Sequence, residues 1–166
     1  WRNASIIHLA PIANEIDSSL PNDFSPALLG VTPQGWMRHW DSSGRVSRSE
    51  WSDSESVLHK ANAVVISRED VNGDHELIEQ MAHQTRMLVV TEGAEGCVLH
   101  WNGDRRRFRA PDVNEVDATG AGDVFATAFF IRLLRTRDPW EAARFATLIA
   151  SISVTRVGLG GIPTQA

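Results

Sequence analysis

Seven consecutive residues, Asp117-Ala118-Thr119-Gly120-Ala121-Gly122-Asp123, run directly into an apolar helical stretch that opens Val124-Phe125-Ala126. Small residues ahead of a helix let the backbone approach a ligand closely. The first N–H groups of a helix have no partner within it, and the helix dipole is positive at that end. Gly120, Ala121 and Gly122 are therefore expected to form an anion cradle. Asp123 falls in the first turn, where the helix end favours the ionised carboxylate that a proton acceptor needs at neutral pH. Such a cradle beside a base suits phosphoryl transfer to a hydroxyl. Taken alone, Gly-Ala-Gly-Asp reads equally as a tight turn followed by a favourable first-turn acid.

Other candidates are weaker. Thr91 and Gly93 lie at the carboxyl end of a predicted parallel strand, a usual place for a ligand, although Thr91 by itself reads as a turn residue. Ser67 and Asp70, taken alone, read as a strand end followed by a helix cap. The six histidines show no His-x-x-x-His spacing, so a metal centre is not expected. Cys97 and His100 are three apart on a predicted strand and fall on opposite faces, which argues against a catalytic pair. Arg105, Arg106, Arg107 and Arg109 read as a solvated edge strand. The Gly158–Gly161 loop does not follow a strand and lacks dinucleotide-binding spacing.

The elements that must hold these residues are legible in the apolar pattern. Ile6–Leu9 and Leu28–Val31 read as short strands, with a short helix from Ile12 to Leu20 between them. Ser and Gly from Asp41 to Arg48 mark an exposed loop or hairpin. A helix follows from Ser52 or Asp53 to about His59. Ala63-Val64-Val65-Ile66 and Met87-Leu88-Val89-Val90 are continuous apolar runs, typical of a sheet covered on both sides. The helix between them, about Asp74 to Gln84, makes a βαβ unit and a parallel sheet. Asn102-Gly103-Asp104 predicts a hairpin turn between Cys97–Trp101 and Arg105–Arg109. Two helices close the chain, about Gly122 to Arg135 and Pro139 to Thr155, the second expected to be largely buried.

Composition sets the frame. With 166 residues, 42% of them hydrophobic and 22% charged, the chain is an ordinary globular protein and neither disordered nor fibrous. No apolar run approaches the ~20 residues of a membrane-spanning helix. A net charge of −5 argues against nucleic acid as the main partner. The single cysteine, Cys97, fits a reducing, cytoplasmic setting.

The string from Asp117 to Asp123 resembles the second signature of the ribokinase-like (PfkB) carbohydrate kinases, Asp-Thr-Thr-Gly-Ala-Gly-Asp, with Ala118 as a departure at the second position. The resemblance implies Asp123 as catalytic base and Gly120, Ala121 and Gly122 as anion hole. Val90 to Gly96 is similar to the family's Thr-x-Gly, which would put Thr91 and Gly93 near ATP. Phe145 to Gly158 is similar to its last long helix and glycine loop, implying Thr147 and Gly158 near adenine, with Thr147 where Asn is frequent. Ser67 to Asp70 matches the position of its Asn-x-x-Glu motif, which implies Asp70 near Mg2+. Asp117 and the Thr119 carbonyl resemble the K+ site of some members. Gln34-Gly35-Trp36-Met37-Arg38 is similar to a Gln-Gly-x-x-Arg stretch of some subgroups, where Arg38 reaches a phosphate or substrate; as a lone residue it reads as a surface arginine.

The implied fold is α/β and ribokinase-like: a mostly parallel sheet with helices on both faces, truncated at the amino terminus, with residues 1–166 as one partial domain. The implied activity is ATP-dependent phosphorylation of a hydroxyl on a sugar, polyol or nucleoside. A homodimer is expected of the full-length protein. The alternative is a non-catalytic nucleotide-binding module or pseudo-kinase of the same fold. Because the family's Gly-Gly signature, sugar-gripping Asp and β lid are not found, the isolated chain is expected to be a poor kinase with an unpaired sheet edge.

Overall fold

In the computed structural model, which describes residues 3–19 and 27–164, a six-stranded sheet forms the middle layer. Its strands are β1 (Ile6–Leu9), β2 (Leu28–Val31), β5 (Ala63–Ser67), β6 (Met87–Thr91), β7 (Cys97–Trp101) and β8 (Asp104–Phe108), in that spatial order. The first four pair in parallel, while β6–β7 and β7–β8 are antiparallel. β3 (Arg38–Trp40) and β4 (Val46–Arg48) form a separate two-stranded ribbon.

Alternation along the strands divides the core. Val64, Ile66, Leu88 and Val90 face a cluster that includes Val57 and Leu58 of α1 (Ser54–Lys60) and Ile78 and Met81 of α2 (His75–Gln84). Ala63, Val65 and Val89 face the opposite cluster, with Phe125, Phe129 and Phe130 of α3 (Ala121–Thr136) and Ala142, Ala143 and Ala146 of α4 (Pro139–Ser153). Apolar residues on both faces explain why these strands read as unbroken apolar runs. At the β7–β8 turn, Asn102 and Gly103 have φ of 52° and 79°, the pair of positive values a tight hairpin turn requires.

Two expectations change. No helix forms between residues 12 and 19, and Leu20 lies outside the described residues. Asn14 takes a positive φ of 60°, and the Glu15 carboxylate accepts from the amides of Ile12 and Ala13, closing a turn instead of a helix. The second correction concerns α4: Leu148 and Ile152 are 48% and 46% exposed, while Ala142, Ala143 and Ala146 are fully buried. The small side chains let α4 press closely on α3 and the sheet, so the larger ones are turned outward.

Parallel pairing gathers the carboxyl ends of β1, β2, β5 and β6 along one rim. Ser67 and Thr91 end their strands at that rim, and His8 lies near it at the end of β1.

Candidate active site at the sheet rim and the start of helix α3

Helix α3 begins without a side-chain cap. Gly120, at the N-cap, has φ +78° and no side chain to offer. α2 and α4 differ: Asp74 accepts from the Leu77 amide, and Asp138 accepts from those of Trp140 and Glu141. α1 also lacks a cap, but there Asp53 accepts from the Ser18 hydroxyl. At the start of α3 the Ala121 amide donates to the Ala118 carbonyl at 3.1 Å. The amides of Gly120, Gly122 and Asp123 donate to no carbonyl or side chain of the described residues. A Cβ built on Gly120 or Gly122 would meet nothing within 4 Å, so the approach is open. Of the three residues expected to form a cradle, Ala121 therefore has its amide already committed.

Asp123 is exposed and has neither an ion pair nor a hydrogen bond among the described residues. Its charge is felt by His8 at the carboxyl end of β1: burial lowers the His8 pKa, and the nearby Asp123 carboxylate partly offsets the shift. His8 Nε2 lies 3.0 Å from Thr32 Oγ1, just beyond β2. Its ring meets Phe130 of α3 edge-on at 4.9 Å. Asp123 thus lies close enough to the rim to interact with His8 through its charge. A histidine in a short apolar strand gave no sign of that role in the sequence.

Asp117 holds the Gly-rich turn in place. Oδ1 accepts from the Thr119 amide at 2.9 Å and Oδ2 from the Gly158 amide at 2.8 Å. The amides of Val116 and Asp117 both donate to the Val154 carbonyl at the end of α4. These two amide bonds to the carboxylate hold its pKa below the ordinary aspartate range. Gly158 and Thr119 are therefore brought together through Asp117, with the carboxylate acting as a staple between the turn and the loop after α4.

Thr91 and Gly93 sit on the rim beside β5. Thr91 pairs with Ser67 across the sheet, and its hydroxyl donates to the Ile66 carbonyl at 3.3 Å. Gly93 has φ +57° and open space where a side chain would project. Between them, Glu92 is 10% exposed and forms ion pairs with Arg68 at 3.2 Å and with Arg107. Sequence reading overlooked Glu92 because its partners lie 24 residues upstream and 15 downstream, on different elements. The arginines of β8 are likewise engaged: Arg105 faces Glu79 at 3.7 Å, and Arg106 stacks over Trp140 at 4.2 Å.

Thr147 is 4% exposed. Its hydroxyl donates to the Ala143 carbonyl at 2.8 Å and lies 3.4 Å from Cys97 Sγ. It nonetheless borders a cavity of about 630 Å³ between α4 and the segment following β8, walled by Phe108, Pro111, Phe145 and Leu148. Arg109 and Arg144 also line it, while Arg132 is held by Glu141 in a forked pair at 2.6–2.8 Å.

Asp70 fits magnesium poorly. Oδ2 accepts from the Ser67 amide at 2.9 Å, and Oδ1 accepts from Gln34 Nε2 at 3.0 Å with Arg38 Nη2 at 3.8 Å. An arginine at that distance opposes a cation at the same oxygen. Among the described residues no three His, Cys, Asp or Glu side chains gather as a metal site.

Residues 51–165 match the family model for pfkB family carbohydrate kinases. The chain belongs to that family. It is 28% identical over 151 residues to a fructokinase of Escherichia coli, covering 82% of this chain and 48% of that protein. It is 38% identical over 90 residues to a ribokinase of Bacillus subtilis, covering 52% and 30% respectively. The crystal structure of a ribokinase from Thermotoga maritima superposes with a TM-score of 0.74 at 23% identity, over 98% of this chain and 54% of that one. This pfkB-family chain therefore spans about half the length of the fructokinase it matches and has the ribokinase fold.

Proposed function

We propose that this chain carries the base and the donor-binding part of a kinase that transfers the terminal phosphoryl group of ATP to a hydroxyl of a sugar, polyol or nucleoside. The reading rests on one observation above all. An exposed, unpaired Asp123 stands in the first turn of a helix whose Gly120, Gly122 and Asp123 amides have no acceptor among the described residues. In this proposal Asp123 accepts the proton of the attacking hydroxyl, which raises the oxygen's nucleophilicity as the bond to phosphorus forms. The three amides, at the positive end of α3, stabilise negative charge on the transferring phosphoryl oxygens. Magnesium, where bound, would supply charge neutralisation at the donor phosphates. No step here is routed through it, because Asp70 does not suit it.

Thr91 and Gly93 border the path of the donor phosphates along the rim. The cavity beside Thr147 has apolar and aromatic walls suited to a nucleobase, and Gly158 borders the ribose side of the loop. Asp117 keeps the turn and this loop in register; it is a staple in this scheme, and potassium has no assigned part.

The test is Asp123→Asn in the complete protein. Turnover is expected to fall about 100- to 10,000-fold, the usual worth of a positioned base, while ATP affinity measured by calorimetry stays within about twofold. Turnover equal to the unsubstituted protein would remove Asp123 from the reaction.

A further inference from the structure

Glu92 puts a carboxylate between Thr91 and Gly93, on a rim where the proposed donor is itself anionic. Its main chain is closed in a tight turn: the amide donates to the Gly96 carbonyl at 2.8 Å, and the carbonyl accepts from the Glu95 amide at 3.1 Å. The side chain is nearly buried, yet both of its partners are exposed arginines. Oε1 accepts from Arg68 Nη1 at 3.2 Å, and Oε2 is paired in charge with Arg107 Nη1. Arg68 follows the end of β5, where its amide donates to the Thr91 carbonyl at 2.9 Å. Arg107 stands on β8 opposite Val98 and lines the cavity beside Thr147.

Stability alone does not call for this arrangement. Taking a carboxylate and its partners out of water offsets most of what the ion pairs return, and apolar side chains could fill the same space. By itself the carboxylate would also repel the phosphates of a donor. Two arginines on one carboxylate, however, leave one positive charge uncompensated. Each guanidinium gives one terminal nitrogen to Glu92 and has no other acceptor among the described residues. The carboxylate thus holds two planar forks that would otherwise swing on long, exposed side chains, and leaves them further N–H groups to offer.

We propose that Glu92 is a positioning residue for the donor, fixing the Arg107 guanidinium between the Thr147 cavity and the rim so that the nucleobase and the phosphates are gripped together. Glu92 itself touches no part of the donor. It acts through Arg107, and Arg68 is the second anchor of its carboxylate. The proposal rests on the reading of this rim as the donor side, and it does not depend on Asp123.

Calorimetric titration of the complete protein with ADP and, separately, with adenosine tests it. Glu92→Gln is expected to weaken ADP about tenfold and adenosine, which has no phosphate, by less than about twofold. Glu92→Asp keeps the charge and is expected to recover part of the ADP affinity. Arg107→Gln should weaken ADP likewise, and the double substitution no more than the worse single one, because Glu92 acts through Arg107. Unchanged ADP binding in Glu92→Gln would overturn the positioning role. Tighter binding would overturn it too, since the carboxylate would then only repel phosphate. Equal losses for ADP and adenosine, the mark of a loosened cavity, or additive losses in the double variant would also count against it. Arg107→Gln alters an exposed side chain, so it carries the test if thermal melting shows that Glu92→Gln does not fold. Failure of the unsubstituted protein to bind ADP would instead overturn the donor reading and this proposal with it, whereas turnover unchanged by Asp123→Asn would leave the ADP result standing.

Discussion

Three aspartates with similar sequence credentials have different surroundings. Asp123 is exposed and unpaired, Asp117 is bonded to two amides, and Asp70 is fixed beneath an arginine. Only the surroundings separate the three. Asp117 also has a pH signature: its pKa is lowered on folding, so the staple is at full strength above the ordinary aspartate value and is lost as pH falls through the lowered one. Cys97 responds at the other end of the scale. Burial pushes its thiol up to about 11, so at pH 8 it is a protonated thiol under a closed core. Iodoacetamide labelling followed by mass spectrometry is expected to find Cys97 unmodified in the folded chain at pH 8 and fully labelled in urea; rapid labelling without denaturant would contradict its burial. The string from Asp117 to Asp123 was legible as a turn ahead of a helix because turn geometry demands small residues there. The partners of Asp70, Gln34 and Arg38, come from a segment more than 30 residues upstream, so its surroundings were not legible from its own neighbours.

At the level of elements, strands and most helices followed from apolar periodicity, and the hairpin followed from Asn102-Gly103. Helix α4 shows where that reasoning stops. Leu148 and Ile152 were expected inside, yet an alanine face packs against the core and the large residues turn out. Apolar content measures how much can be buried, and only the shape of the neighbouring surface decides which side is. The segment from residue 12 to 19 failed for a local reason, because Glu15 satisfies the preceding amides in a turn. The turn between β6 and β7 is strictly constrained. Gly96 has φ +94°, and a Cβ there would lie 2.0 Å from the Phe108 carbonyl oxygen on β8. Gly96→Ala is expected to destabilise the fold by roughly 1–3 kcal/mol from backbone strain alone, with the clash adding to it. Urea denaturation reads the effect, and an unchanged midpoint would rule out the tight approach. Because this turn follows Glu92 and Gly93, donor affinity should weaken alongside stability.

Across the whole molecule, two cores on opposite faces of one sheet serve different ends. The α1–α2 side supports the ribbon and its arginines, and the α3–α4 side carries Asp123 and the Gly-rich turn. β1 is one margin of the sheet and pairs only with β2 among the described residues. The layered α/β plan was readable from alternating strand and helix signals, but how the two sides share a rim depends on contacts between distant segments. One of these contacts is at Gly30 in the middle of β2, where a Cβ would fall 2.6 Å from the Phe130 ring. That ring belongs to α3, two turns beyond Asp123, and also abuts His8. The missing methyl group thus works as a spacer of zero thickness, setting how deeply the helix seats and hence where its acid hangs. Gly30→Ala in the complete protein is expected to lower turnover at least severalfold with every reacting group intact, and a smaller ring-site residue, Phe130→Leu, to restore part of it. Turnover indifferent to that added methyl group would mean that the helix finds its height by other contacts.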